Sequence, residues 1–440
     1  MTSKTDNRQS FLRLLYTAVL FVLIPFVVLR LLLLSIRKPA YRKRIMERFG
    51  YVPSVDNSLS VIWIHAVSVG EVHAAKPLVD QIIRSCPHYQ LLLTTMTPTG
   101  SDAVHNNFGN RVLHYFIPYD LPDAVCQFIY RTRPCLLVVM ETEIWPNLFY
   151  ICKKNNIPVV IANARMSEKS FAGYRRLSRL ARETLSIVSY VVAQGQADAE
   201  RLVALGADKN KITVSGSIKF DIEFPEGTKK QGMFLRQNIF NNRPVWIAAS
   251  THAGEEQIIL SAFGRILKQH PACLLIIAPR HPDRSDIITE LSINSGLITV
   301  RKSKGQKIDD QVKVYLLDTL GELPEYYAAS DLAFVGGSLV PHGGHNMLEP
   351  ACLGVPVITG PHNHNFSEIS AMLQLGGAAW VVTDVDELEC QVNLLLTDRK
   401  MRQDAGEKGR KLVEASRGSI HRLMEVLQPY LKNTALSEIN

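Results

Sequence analysis

Apolar positions along this chain gather into short, nearly unbroken runs separated by longer stretches of helical periodicity. Runs at 61–65, 91–95, 112–117, 136–140, 159–162, 190–193 and 212–214 have the length of strands buried on both faces, where apolar–polar alternation is lost. Amphipathic segments lie between most of them, as at 71–85 and 122–130. Such β-α alternation predicts a doubly wound parallel sheet. A polar stretch, 225–242, punctuated by Gly, Lys and Asn, reads as a linker. The alternation then restarts at 245–248, 274–278, 312–316, 332–335, 355–358 and 379–382. The expected fold class is α/β, with two Rossmann-like domains (37–224 and 243–440) facing across a cleft and an apolar segment (1–36) ahead of them.

That leading segment differs from all the others. Residues 14–29 carry no charge, Arg30 follows, and 31–36 is again apolar. Sixteen residues of helix reach about 24 Å, short of a hydrocarbon core of about 30 Å. Counting on to Ile36 gives a spanning length, provided that Arg30 snorkels to the interface. Pro25 is a kink site. No A-x-A-like site follows, and Arg37-Lys38 stands where cleavage of a secretory signal would fall, so a retained membrane anchor is expected.

Charge sharpens this reading. The formal net charge is +8, and residues 1–50 carry all of it: Lys4, Arg8, Arg13, Arg30, Arg37, Lys38, Arg42, Lys43, Arg44 and Arg48 stand against Asp6 and Glu47. A nucleic-acid binder spreads its basic residues over a folded surface, so no nucleic-acid partner is expected. A basic collar beside an apolar run suits anionic lipid headgroups, and the heavier flank, 37–48, places the bulk of the chain on the cytoplasmic side. Seven cysteines with no C-x-x-C pair agree with a reducing compartment.

Candidate chemistry sits where strands end. No G-x-G-x-x-G follows an expected strand and no G-x-x-x-x-G-K-[ST] occurs, which lowers the dinucleotide and nucleotide-hydrolase readings. His65-Ala-Val-Ser-Val-Gly70-Glu71 ends the first strand, and Glu71 is either a general base or a carboxylate complementing a helix dipole. Glu141 and Glu143 leave the strand at 136–140 just before Pro146 starts a helix; paired acids in a cleft and ordinary capping acids are both open. Lys219, in Ser215-Gly-Ser-Ile-Lys219-Phe-Asp221, is a candidate for an anionic group or a plain surface lysine. In the second half, Pro279-Arg280 ends a strand with a phosphate-binding side chain, and Leu320-Gly321-Glu322 precedes a helix. Gly336-Gly337-Ser338 and His342-Gly343-Gly344-His345-Asn346-Met347-Leu348-Glu349 then supply glycine-rich backbone ahead of a helix, suited to an anion, with Glu349 one turn in and able to meet ribose hydroxyls. The histidines here (His342, His345, His362, His364) lack the fixed spacing of a metal set.

Taken in order, E-R-F-G (47–50), H-A-V-S-V-G-E, E-T-E-I-W-P-N, N-A-R (163–165), G-S-I-K-F-D, A-P-R-H-P, G-E-L, F-V-G-G-S and G-G-H-N-x-L-E-P-A resemble the Kdo transferases of lipopolysaccharide assembly over nearly the whole chain. The resemblance implies the glycosyltransferase-B (GT-B) fold and an inverting transfer of the acidic sugar Kdo from CMP-Kdo to a lipid A precursor (lipid IVA). Matched by motif, it implies Glu71 as catalytic base and Glu141 and Lys219 as transition-state stabilisers. It implies CMP contacts by Pro279, Arg280, Leu320, Gly321, Glu322, Asn346, Met347, Leu348 and Glu349. No cofactor and no metal are expected, and the implied location is the cytoplasmic face of a bacterial inner membrane. The readings set against it are a GT-B glycosyltransferase or epimerase using a UDP-sugar, and a non-catalytic membrane adaptor.

Overall fold

A computed structural model describes residues 11–55 and 59–436; Lys4, Asp6 and Arg8 lie outside them. It divides the chain into two units, one holding residues up to Asp221 together with those from Arg417 onward, the other Ile222–Ser416.

The first unit contains β1 (Ser60–His65), β2 (Tyr89–Thr95), β3 (Leu113–Phe116), β4 (Pro134–Met140), β5 (Val159–Ala164), β6 (Tyr190–Ala193) and β7 (Ile212–Val214). They form one parallel sheet in the order β3-β2-β1-β4-β5-β6-β7. β4 shows why its sequence is continuously apolar. Leu137 and Val139 enter a core with Trp63, Phe128 and Phe149, while Leu136, Val138 and Met140 enter another with Ile62, Ile64 and Leu78. Successive side chains point to opposite faces, and helices cover both, so neither face can be polar.

The second unit contains β8 (Val245–Thr251), β9 (Leu274–Pro279), β10 (Thr299–Arg301), β11 (Val314–Leu316), β12 (Leu332–Val335), β13 (Val357–Thr359) and β14 (Ala379–Val381), again all parallel, in the order β10-β11-β9-β8-β12-β13-β14. Each unit is therefore Rossmann-like, as the alternation predicts.

Three features depart from the sequence reading. β10 was not expected: only Val300 of its three residues is buried, so it carries too weak an apolar signal. The stretch 225–242, expected as a linker, holds a helix, Thr228–Phe234, and a π turn, Leu235–Ile239. It belongs to the second unit, where Leu235 and Phe240 enter the core. Gly232 there sits so close to Ala328 that a Cβ would come within 2.5 Å of its methyl carbon. Finally, the helix Ser419–Leu436 does not extend the second domain. Leu423, Leu427 and Leu431 close a core of the first unit, and both carboxylate oxygens of Asp221 hold the helix start, accepting from Gly418 N and Ile420 N at 2.6 Å each.

Ahead of the first sheet runs a helix, Phe11–Arg37, with Pro25 inside it. It is long and apolar enough to cross a membrane by length and composition.

Candidate active site

Strand order reverses between β1 and β4, because β1 is followed on one side by β2 and on the other by β4. In open α/β sheets, ligands bind outside the carboxyl ends of the strands at such a point. Glu71 follows β1 and Glu141 follows β4, so both sit beside that reversal.

Glu71 is the third residue of the helix Val69–Ser85, whose N-cap is Ser68. Glu71 N donates to Ser68 Oγ (3.4 Å), Ser68 Oγ donates to Glu71 Oε1 (3.2 Å), and Val67 N donates to Glu71 Oε2 (2.8 Å). This reciprocal capping fixes the carboxyl group at the helix start. Burial pushes its pKa up to about 7, and the nearby charges of Glu141 and Glu143 push the same way, against the hydrogen bonds from Val67 and Ser68. Glu141 itself adopts φ 56°, a left-handed conformation that a glutamate takes only under constraint, while its N–H donates to Ala162 O at 2.9 Å. Glu143 accepts from Trp145 Nε1 at 2.8 Å, and burial raises its carboxyl pKa too. The Trp145 ring stands edge-on to His65, which is fully buried; burial drives the His65 pKa down to about 4. The first strand ends thus bring together a neutral imidazole and three acids, and burial raises the pKa of Glu71 and of Glu143.

Lys219 lies in the short 3-10 turn Ile218–Phe220, which packs against the helix carrying Glu71. Asn163, at φ 54° near the end of β5, holds that turn by accepting from Ile218 N at 3.2 Å. Lys219 makes no ion pair among the described residues, so its ammonium is available to an anion.

In the second unit the reversal falls between β8 and β12. Here the structure changes one expectation. The N–H groups of Gly337, Ser338 and Leu339, in the loop read as an anion cradle, already hold an anion of the chain's own. They donate to the fully buried carboxylate of Glu255 at 2.7, 3.0 and 2.9 Å, and His252 N adds a fourth bond at 2.9 Å. Ser250, just before, has φ 56°, the same constrained conformation that Glu141 has in the first unit. Glu255 and His252 were not singled out from the sequence. The signal was present: Thr251-His252-Ala-Gly254-Glu255 repeats, at the end of β8, the strand–His–Gly–Glu order found at the end of β1.

Around this scaffold, the His252 ring stacks on those of His342 (centroids 4.2 Å apart) and His345 (5.1 Å), and His252 Nε2 lies 2.8 Å from His345 Nε2. Burial, then the Arg280 charge, lowers the His345 pKa to about 4; burial first also lowers that of His252. Arg280 follows β9, is exposed, and has no ion-pair partner among the described residues. Its N–H donates to Thr251 O at 3.0 Å, which ties it to the β8 end. Asn346 organises the next segment: its Oδ1 accepts from Leu348 N (3.1 Å) and its Nδ2 donates to Glu349 Oε1 (3.1 Å). Glu349 is the second residue of the helix Leu348–Cys352, closer to its start than expected, and burial raises its pKa. Met347 and Leu348 are buried and contribute backbone. Leu320 is 77% exposed and Gly321 has φ 90°. Glu322 pairs with Lys302 Nζ (2.5 Å) and accepts from Thr319 Oγ1 (2.5 Å). Burial alone would raise its pKa, but these partners outweigh burial and hold it low. Among the described residues no group of three or more His, Cys, Asp or Glu side chains is arranged to hold a metal ion.

The family described as 3-Deoxy-D-manno-octulosonic-acid transferase (kdotransferase) matches residues 43–222, and that described as Glycosyl transferases group 1 matches residues 255–412. A 3-deoxy-D-manno-octulosonic acid transferase of Haemophilus influenzae is 40% identical over 96% of this chain and 99% of its own. One from Bordetella pertussis is 35% identical over 84% of this chain and 87% of its own. Among solved structures, a UDP-GlcNAc 2-epimerase from Neisseria meningitidis superposes with TM-score 0.53 at 14% identity, over 84% of this chain and 100% of that one. A glycosyltransferase from Rickettsia africae does so with TM-score 0.51 at 15%, over 86% and 100%. At such identities these two speak for the fold alone, two Rossmann-like domains of the GT-B kind. The full-length similarity settles the family: this chain belongs to the 3-deoxy-D-manno-octulosonic acid (Kdo) transferases, glycosyltransferases of lipopolysaccharide assembly.

Proposed function

We propose that this chain moves Kdo from CMP-Kdo to a hydroxyl of a lipid A precursor at the cytoplasmic face of a bacterial inner membrane. The observation that carries the reading furthest is Glu71, a capped and half-buried carboxyl at the β1/β4 reversal with a pKa of about 7. A base with that pKa is ionised in useful amount near neutral pH and still accepts a proton readily. In this reading Glu71 takes the proton from the acceptor hydroxyl as its oxygen attacks the anomeric carbon. The bond to the CMP phosphate breaks on the opposite side, and the anomeric centre inverts. Charge then grows on the departing phosphate. Arg280, free of any ion pair among the described residues, is suited to that phosphate, and the free Lys219 ammonium to the transition state. In this reading Glu141, held at positive φ near Glu71, would act on the same centre. Pro279, Leu320 to Glu322 and Asn346 to Glu349 would hold the CMP moiety, with no metal or other cofactor required.

The test is incubation of detergent-solubilised protein with CMP-Kdo and a tetra-acylated lipid A precursor, with products read by mass spectrometry. One or more Kdo masses on the lipid are expected, and Glu71→Gln should lose transfer while CMP still protects it from heat. Glu71→Gln retaining most of its turnover would refute the base assignment. Heat protection by UDP and not by CMP would replace CMP-Kdo with a UDP-sugar donor.

A further inference from the structure

The helix Phe11–Arg37 is docked on the first unit along nearly its whole length. Arg13 Nη1 donates to Asn147 Oδ1 (3.2 Å), and the Arg13 guanidinium lies 3.6 Å from the centroid of the Tyr150 ring. Thr17 Oγ1 and the Asn147 amide hydrogen-bond at 2.9–3.1 Å, and Asn147 Nδ2 donates on to Asp120 O at 2.6 Å. Tyr16 hydrogen-bonds the Asp120 carboxylate, which also accepts from Asn147 N and Leu148 N at the start of the helix Pro146–Lys154. Further on, Leu20, Ile24 and Leu31 pack against Tyr119, Leu121 and Ala124, and Ser35 is buried. Positions 13, 17, 20, 24, 31 and 35 form one stripe at helical spacing. The opposite face is bare: Phe11, Val22, Phe26 and Ile36 are 76, 67, 66 and 77% exposed.

We propose that this helix does not cross the bilayer but lies in the plane of one leaflet, with its docked stripe on the protein and its apolar face in the headgroup–acyl boundary of an anionic membrane. The inference rests on the membrane location proposed above. From Arg13 to Leu31 the docked stripe runs about 27 Å, close to the thickness of a hydrocarbon core. A crossing helix would either drag Asp120, Asn147 and the surrounding surface into hydrocarbon or strip away every docked contact, leaving Arg13 unpaired in lipid. In the plane neither happens. Arg30 then has no need to snorkel out of hydrocarbon. It lies roughly a third of a turn from the docked stripe, on the flank of the apolar face, where its guanidinium reaches phosphates directly. Exposed Lys38, Arg42 and Lys43, with no ion pair among the described residues, continue the same cationic edge.

The test reconstitutes the full chain, with a protease-cleavable tag ahead of Met1, on sealed phosphatidylglycerol-containing vesicles. Flotation with the vesicles comes first, and its failure would sink the membrane location itself. In-plane seating puts the tag on the same side as the catalytic units, so protease added outside should remove it from nearly all outward-facing molecules without detergent. A floating protein whose tag is protected until detergent is added overturns the in-plane reading and leaves the membrane location standing. Arg30→Gln gives a second, oppositely signed readout. In the plane it forfeits a phosphate contact, and partitioning onto these vesicles should weaken about fivefold. In a spanning helix it relieves the cost of snorkelling a charge out of hydrocarbon, so unchanged or tighter partitioning overturns the proposal.

Discussion

Replacing Glu255 with Gln tests how the second unit is held together. The carboxylate is fully buried and has two backbone donors on each oxygen: His252 N and Gly337 N on Oε2, Ser338 N and Leu339 N on Oε1. A glutamine has the same shape but only one accepting atom. Whichever way its amide turns, an NH2 group faces two N–H donors that have no other partner. Hydrogen bonds to a charged acceptor contribute about 1.5–3 kcal/mol each, and two are lost; relaxation recovers part, which leaves a destabilisation of about 3–5 kcal/mol. The second unit spans Ile222–Ser416, a size at which each kcal/mol lowers Tm by about 2–4 °C, so its melting transition should fall by about 6–20 °C. Scanning calorimetry of the purified protein reads this directly, and heat protection by CMP should weaken in parallel because the loop after β12 loses its anchor. A shift below about 2 °C would refute the account, since it would mean that the four donors find equivalent partners without a carboxylate.

Other outcomes follow from the same geometry. If Glu71 is the base proposed above, it must be ionised to accept a proton, and with its pKa at about 7 transfer should rise with pH through that value and fall about tenfold per unit well below it; a flat kcat/KM profile between pH 5.5 and 7.5 would refute that proposal. Folded Glu71 holds its proton more tightly than the unfolded chain does, so this group favours the folded state more at pH 5 than at pH 7.5, where its raised pKa counts against folding. Arg280→Ala should weaken CMP binding by about 1.5–3 kcal/mol, roughly tenfold to a hundredfold by titration calorimetry, with little change in Tm because its side chain is exposed. Asp120→Ala should cost about 1–3 kcal/mol in the first unit, measured by denaturant unfolding, since it leaves Asn147 N and Leu148 N without their acceptor; an unchanged midpoint would show that the carboxylate contributes nothing there.

Strands packed on both faces were plain in the sequence because burial leaves them no polar position, as in β4. β10 escaped because it buries one side chain in three. The residues 225–242 read as a linker because their helix buries little, and its tightest contact is made through a glycine, which has no hydrophobic signature. The fate of the last helix was likewise hidden. Its apolar face is visible in Leu423, Leu427 and Leu431, but periodicity does not say which sheet a helix covers. At the strand ends, the positions of Glu141 and Arg280 were legible because each abuts an apolar run, and that of Glu71 because it opens the amphipathic helix that follows the run at 61–65. Glu255 was not. A buried carboxylate that satisfies the N–H groups of a glycine loop more than eighty residues away leaves the same local pattern as an ordinary acid in a first helical turn.

The return of the helix Ser419–Leu436 to the first unit bears on how the protein is made. Domains generally fold as units in the order in which they leave the ribosome. Here the sheet β1–β7 is synthesised first, yet one of its cores stays open until Leu423, Leu427 and Leu431 emerge, after every residue of the second unit. Asp221 likewise waits for the N–H groups of Gly418 and Ile420. The nascent first half must therefore survive a full second-domain's worth of translation with an apolar face uncovered, and a chain that stops short of Ser419 is left with an unfinished core.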